Sequence, residues 1–256
     1  MNRITGLFKR KDNGVLNVYF TAGHPALNDS IEIINTLDSL GVDLVEMGMP
    51  YSDPLADGET IQKSSQRALK NGMTLDTLMN QIVQVRRQSD IPINLMGYYN
   101  QVMQYGEERF LKTAHEAGVD GLIIPDLPMD VYEEDYLELF NHYHLCISFL
   151  ITPETSDERI RQADRLSTGF LYVVSKSSIT GSSGEITDSQ KDYFNHINSL
   201  GLETPRLIGF GIHNKGTYDT ACKFAQGAII GSAFIRALEG EGRLEKKISE
   251  FIRSIR

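Results

Sequence analysis

Eight short runs of β-branched and aliphatic residues recur along this chain, at 16–21, 44–47, 93–96, 121–124, 147–151, 170–174, 207–210 and 227–230. Several are continuously apolar, as parallel strands covered on both faces are. Between them the apolar residues change to a 3.6-residue period. Ile33, Ile34, Leu37 and Leu40 form one helical stripe, and Leu75, Leu78, Met79, Ile82 and Val85 another. Gly41, Gly118 and Gly201 follow helical stretches, where a terminal glycine is favoured, and Thr155 with Glu158 has the spacing of a capping box opening the helix after the fifth strand. Eight strand–helix alternations predict an α/β protein, a (β/α)8 TIM barrel with extra N-terminal and loop helices. The 256 residues suit one such domain over 1–256, since this barrel takes about 250. An open, Rossmann-like sheet is the competing architecture, but no G-x-G-x-x-G follows an early strand.

In such a barrel the chemistry belongs to the loops after the strands. Two of these are enlarged: the segment between Glu46 and Met96, and 175–187, rich in Ser, Gly and Thr. The first opens with Glu46-Met47-Gly48-Met49-Pro50-Tyr51-Ser52-Asp53-Pro54-Leu55-Ala56-Asp57-Gly58. A carboxylate at the end of an apolar strand is costly without a partner, and burial raises its pKa to where it serves as an acid or base near neutrality. The Pro/Gly-punctuated loop can carry Asp57 back toward the barrel mouth, so that two carboxylates flank one substrate. The plainer reading makes Glu46 a strut paired with Lys or Arg, and Asp53 and Asp57 turn formers.

Glycines at the ends of the last two strands, Gly209-Phe210-Gly211 and Gly231-Ser232, let backbone N–H groups approach a phosphate, with a short helix starting near Ser232. Either motif alone would be explained by a tight turn; together, on strands seven and eight, they favour phosphate. Tyr172 would point into the mouth if Leu171 and Val173 point outward, and the polar segment after it reads as a lid or as a plain surface loop.

The net charge of −9 and the absence of any basic run argue against nucleic acid or an anionic membrane as partner. An anionic ligand must then be held locally. No apolar stretch approaches the roughly 18 residues of a spanning helix, so a soluble, cytoplasmic protein is expected. Cys146 and Cys222 lie in apolar stretches and read as buried thiols. None of the six histidines has metal-ligand spacing, and no metal is expected.

These motifs, in this order, resemble the alpha chain family of tryptophan synthase over essentially the whole length. The Glu46 to Gly58 segment is similar to the family's signature. So are Thr21-Ala22-Gly23, Met96-Gly97-Tyr98-Tyr99-Asn100, Pro125-Asp126-Leu127-Pro128, Tyr172, Thr180-Gly181, Gly209-Phe210-Gly211 and Gly231-Ser232-Ala233. The resemblance implies a lyase that cleaves indole-3-glycerol phosphate to indole and glyceraldehyde 3-phosphate by a retro-aldol step in tryptophan biosynthesis. It implies Glu46 as proton donor at indole C3, Asp57 as hydrogen-bond acceptor for the indole N–H, and Tyr172 beside the substrate. It implies a phosphate cradle at Gly181, Gly209, Phe210, Gly211, Gly231 and Ser232, and an indole pocket of Tyr19, Met96, Ile123 and Phe210. It implies no cofactor in this chain, pyridoxal phosphate belonging to the partner beta chain. The implied assembly is an αββα heterotetramer, coupled through Asp53, Pro54 and Thr180. The chain departs from the common family pattern at Glu59, Gln101, Lys176 and Ser177-Ser178. Two other readings stand beside this one: a barrel that mainly binds and activates a beta partner, and another phosphate-binding barrel enzyme. The presence of both Glu46 and Asp57 favours the lyase.

Overall fold

The computed structural model describes residues 2–55, 57–175, 186–209 and 211–256. Its strands are β1 Val15–Thr21, β2 Leu44–Gly48, β3 Ile93–Met96, β4 Gly121–Ile123, β5 Cys146–Ile147, β6 Leu150–Ile151, β7 Leu171–Val174, β8 Arg206–Gly209 and β9 Gly227–Ile230. All neighbours pair in parallel, in the order β5-β4-β3-β2-β1-β9-β8-β7-β6. The two ends of that order, β5 and β6, are halves of one run, so the chain itself closes the ring into the expected (β/α)8 barrel.

The fifth strand, expected as one piece, is split because side chains replace part of its ladder. Ser167 Oγ accepts from Phe149 N at 3.1 Å, Ser148 Oγ from Phe170 N at 3.2 Å, and Thr168 Oγ1 from Ile147 N at 3.1 Å. Cys146 pairs with Gly121 on β4 and Leu150 with Tyr172 on β7.

Alternation along the strands divides the core in two. Leu16, Val18 and Phe20 of β1, Val45 and Met47 of β2, and Leu171 and Val173 of β7 face the surrounding helices. Val15, Tyr19, Leu44, Ile123, Tyr172 and Ile229 fill the barrel interior. The amphipathic stripes behave as expected: Ile33, Ile34 and Leu37 of helix Asp29–Ser39, and Leu78, Met79, Ile82 and Val85 of helix Leu75–Val85, are buried. Gly41, Gly118 and Gly201 follow helices with positive φ.

The N-terminal helix Arg3–Arg10 is capped by Asn2, whose Oδ1 accepts from Ile4 N at 2.9 Å. Asn2 Nδ2 also donates to the carbonyls of Asp120 and His144, just before β4 and β5. This docks the helix at the N-terminal end of the barrel, where Ile4 and Leu7 join the interior cluster. That end is plugged, and the opposite end is left for the site.

Two further expectations need correction. The helix Asp157–Leu166 is capped by Ser156, whose side chain accepts from Arg159 N, not by a Thr155–Glu158 box. Thr155 Oγ1 instead accepts from Thr152 N, closing the turn before it. Cys222 is half-buried rather than buried, because it sits at the end of helix Lys215–Ala221. Among the described residues, no helix is long and apolar enough to cross a membrane.

Candidate active site

The parity that turns Val45 and Met47 outward turns Leu44 and Glu46 inward, so an ionisable group enters the barrel in an apolar strand. Glu46 is fully buried, at the register of Tyr19 on β1 and Asn94 on β3. Asn17 Nδ2 donates to Glu46 Oε2 at 3.0 Å. No cation pairs with this carboxylate among the described residues, and Oε1 has no hydrogen-bond partner there. The strut reading therefore fails. Burial raises the Glu46 pKa to about 8; Asn17 offsets part of that rise, and the nearby Asp57 charge adds to it.

The loop after β2 folds back on itself to deliver the second carboxylate. Asp57 N donates to Pro54 O at 3.0 Å, and Gln62 Nε2 donates to Asp57 O at 2.8 Å. The loop is braced from the start of helix Tyr99–Tyr105, which follows β3: Gln101 Nε2 donates to Pro50 O at 2.9 Å, Asn100 Nδ2 to Tyr51 Oη at 2.8 Å, and Tyr51 stacks on Tyr98. Gln101, a departure from the common pattern, thus ties this helix to the loop after β2. Glu59, another departure, is exposed and paired with Lys63. Tyr98 Oη donates to Asp57 Oδ2 at 3.3 Å. Burial raises the Asp57 pKa to about 6, and the Tyr98 bond opposes the rise.

Glu46 and Asp57 line one cavity of about 140 Å³. Tyr19, Ile61, Met96, Tyr172 and Ile229 form its flanks, and Gly211, Ile212, Gly231, Ser232, Ala233 and Arg236 a further wall. Burial and the carboxylates push Tyr19 and Tyr172 well above the ordinary tyrosine range, so both remain neutral phenols. Their rings fit because glycines face them. A Cβ on Gly48 would lie 2.2 Å from Tyr19 Oη, and one on Gly209 would lie 2.4 Å from the Tyr172 ring. Gly209 therefore makes room for Tyr172 and is not itself a wall of the cavity. Ile123 lies in the barrel interior cluster, outside the cavity walls. Asp53 is exposed and hydrogen-bonded to Ser52, Pro54 is buried in the loop, and neither reaches the cavity. Phe210, Thr180 and Gly181 lie outside the described residues, as does most of the 175–187 segment. Among the described residues, no cluster of His, Cys, Asp or Glu could hold a metal ion.

The family model described as "Tryptophan synthase alpha chain" matches residues 7–255. The chain belongs to the tryptophan synthase alpha chain family. The alpha chain of Flavobacterium johnsoniae is 52% identical over 256 residues, covering 100% of both chains. That of Flavobacterium psychrophilum is 50% identical over 255 residues, again covering 100% of both. Among solved structures, the tryptophan synthase A-subunit of Pyrococcus furiosus has a TM-score of 0.85 at 34% identity, covering 95% of this chain and 99% of that one. A Mycobacterium tuberculosis tryptophan synthase chain has a TM-score of 0.87 at 27% identity, covering 100% and 98%. As a member of this family the chain is a lyase subunit for the cleavage of indole-3-glycerol phosphate, and it works with a beta chain.

Sequence reasoning missed Asn17, Ile61, Tyr98, Ile229 and Arg236. Asn17 had a signal, a polar side chain within the apolar run of β1. Tyr98 stood in a matching motif with no role attached. Arg236 had none: it is one of 25 Lys and Arg residues, on an ordinary amphipathic helix.

Proposed function

We propose that Glu46 and Asp57 divide the acid–base work of a retro-aldol cleavage of indole-3-glycerol phosphate. The observation that carries this reading is the pair of carboxylates on one small cavity, whose pKa values of about 8 and about 6 leave opposite protonation states at neutral pH. Protonated Glu46 gives its proton to indole C3, and the ring becomes an indoleninium. The resulting Glu46 carboxylate takes the proton of the glycerol hydroxyl next to C3. That oxygen's electrons form the aldehyde C=O, the C3–C bond breaks, and its electron pair restores the aromatic indole. The proton balance closes: one is given at carbon and one is taken at oxygen. Ionised Asp57 accepts the indole N–H and stabilises the charge that builds on the ring, an electrostatic role. Tyr19, Met96 and Tyr172 enclose the ring, and the backbone of Gly211, Gly231 and Ser232 receives the phosphate.

One barrel domain over 1–256 carries all of this, and neither metal nor cofactor takes part in the step; pyridoxal phosphate is a matter for the beta chain. The assembly is an αββα heterotetramer in the cytoplasm. In the loop with Asp53 and Pro54, Leu55 is 89% exposed, which supports a docking role for that loop.

The test is indole release from indole-3-glycerol phosphate, with and without a beta chain, for wild type and Glu46→Gln. We expect the substitution to lower turnover by about 10³-fold, the scale of positioned acid–base catalysis, while glycerol phosphate still binds. Robust turnover in Glu46→Gln would overturn the assignment.

A further inference from the structure

Arg236 is the one cationic side chain in the wall of the cavity among the described residues. It stands on helix Ser232–Leu238, four residues after Ser232. Residues four apart share a face, and helical side chains lean back toward the N-terminus. The guanidinium is thus carried over the turn that begins at Gly231 and Ser232, while Phe234, Ile235 and Leu238 anchor the opposite face in the core. Among the described residues Arg236 forms no ion pair, and its recorded partner is a neutral group: Nη1 donates to Thr60 Oγ1 at 3.2 Å. Thr60 belongs to helix Glu59–Lys70, which starts directly after Asp57-Gly58. Every other charged group in the described wall is a carboxylate, Glu46 or Asp57, and the chain as a whole carries −9. Among the described residues, a phosphate dianion entering this site meets two carboxylates and a single guanidinium.

We propose that Arg236 is a phosphate-recognition residue, which leaves Thr60 to pair with the phosphate of a sugar-phosphate ligand. This rests on the reading of the Gly211, Gly231 and Ser232 end as the phosphate end. The exchange needs no change of fold, since a long guanidinium side chain swaps one neutral acceptor for a charged one. It also orients the ligand: the cation draws the phosphate to this end of the cavity and leaves the organic end to the carboxylates.

Binding of glycerol 3-phosphate and of indole, measured by calorimetry on the folded full-length chain, separates the possibilities. In Arg236→Gln we expect glycerol 3-phosphate affinity to fall about tenfold, which is 1.4 kcal/mol, with indole affinity unchanged. Arg236→Lys should recover part of the loss, and added salt should narrow the gap between wild type and Arg236→Gln. Thr60→Val, which removes only the resting partner, should retain glycerol 3-phosphate affinity. Equal glycerol 3-phosphate affinities in wild type and Arg236→Gln would overturn the proposal. So would a matching loss in Thr60→Val, which would make Arg236 a brace between helices. Because the readout is binding, failure to cleave indole-3-glycerol phosphate would overturn the catalytic reading and leave this test standing.

Discussion

Asn17 Nδ2 donates to Glu46 Oε2 at 3.0 Å, and no Lys or Arg among the described residues reaches that carboxylate. The contrast is Asp120, also buried, which accepts from Arg3 Nη1 at 3.1 Å, Arg86 Nη2 at 2.8 Å and Ile93 N at 2.9 Å. One carboxylate is held as a strut at the plugged end of the barrel. The other is given a neutral amide and left able to take up a proton.

The pH dependence of kcat/KM should be bell-shaped. Asp57 must be ionised, so activity falls as pH drops through about 6; Glu46 must be protonated, so it falls as pH rises through about 8. Tyr98→Phe removes the bond that lowers the Asp57 pKa and should move the acid limb upward. A flat profile over this range, with chemistry limiting, would contradict both roles.

Glu46 should also make stability depend on pH. Its folded pKa lies above the ordinary 4.5, so the folded state binds the extra proton. The stabilisation this brings is complete below about 4.5 and is lost as pH rises to about 8. Glu46→Gln carries no such charge. Its melting temperature should overtake that of wild type progressively across this window, by several degrees at the alkaline end, as scanning calorimetry at several pH values would read.

Gly209→Ala should cost activity without touching a carboxylate. The new Cβ would lie 2.4 Å from the Tyr172 ring, closer than packed atoms tolerate, so the ring must move into the cavity. Overpacking of this kind costs about 1–3 kcal/mol. Steady-state kinetics should show kcat/KM reduced roughly tenfold to a hundredfold, and wild-type kinetics would rule out the steric argument.

Asp120→Ala should unfold the protein at lower urea. It leaves Arg86, whose side chain is only 10% exposed, without its carboxylate. Breaking a buried pair from one side costs about 3–5 kcal/mol. The protein that remains folded should retain its kcat, because Asp120 stands at the opposite end of the barrel from the cavity.

Much of this molecule was legible from its residues. Short apolar runs place the eight barrel strands and 3.6-residue periods the main helical stripes, because burial on both faces of a strand, or on one face of a helix, is a local demand repeated along the chain. The split at Ser148-Phe149 was not legible, because it depends on hydroxyls of Ser167 and Thr168 arriving from the next turn of the barrel. Glu46, Asp57, Tyr172, Gly211, Gly231 and Ser232 were singled out by motif, and the structure brings all six to one cavity. Ile123 and Gly209 were singled out the same way and are not in its walls. A motif records which residues recur together, not whether each faces the ligand or makes room for a neighbour that does.

The sequence by itself determined that a carboxylate would sit in or at the end of an apolar strand of a barrel, since Glu46 falls in the run with Leu44, Val45 and Met47. Only the tertiary structure decided its chemistry. The electrostatic state of a buried acid depends on what other parts of the fold bring within a few ångströms, and among the described residues they bring Asn17, Asp57 and two tyrosines rather than a cation.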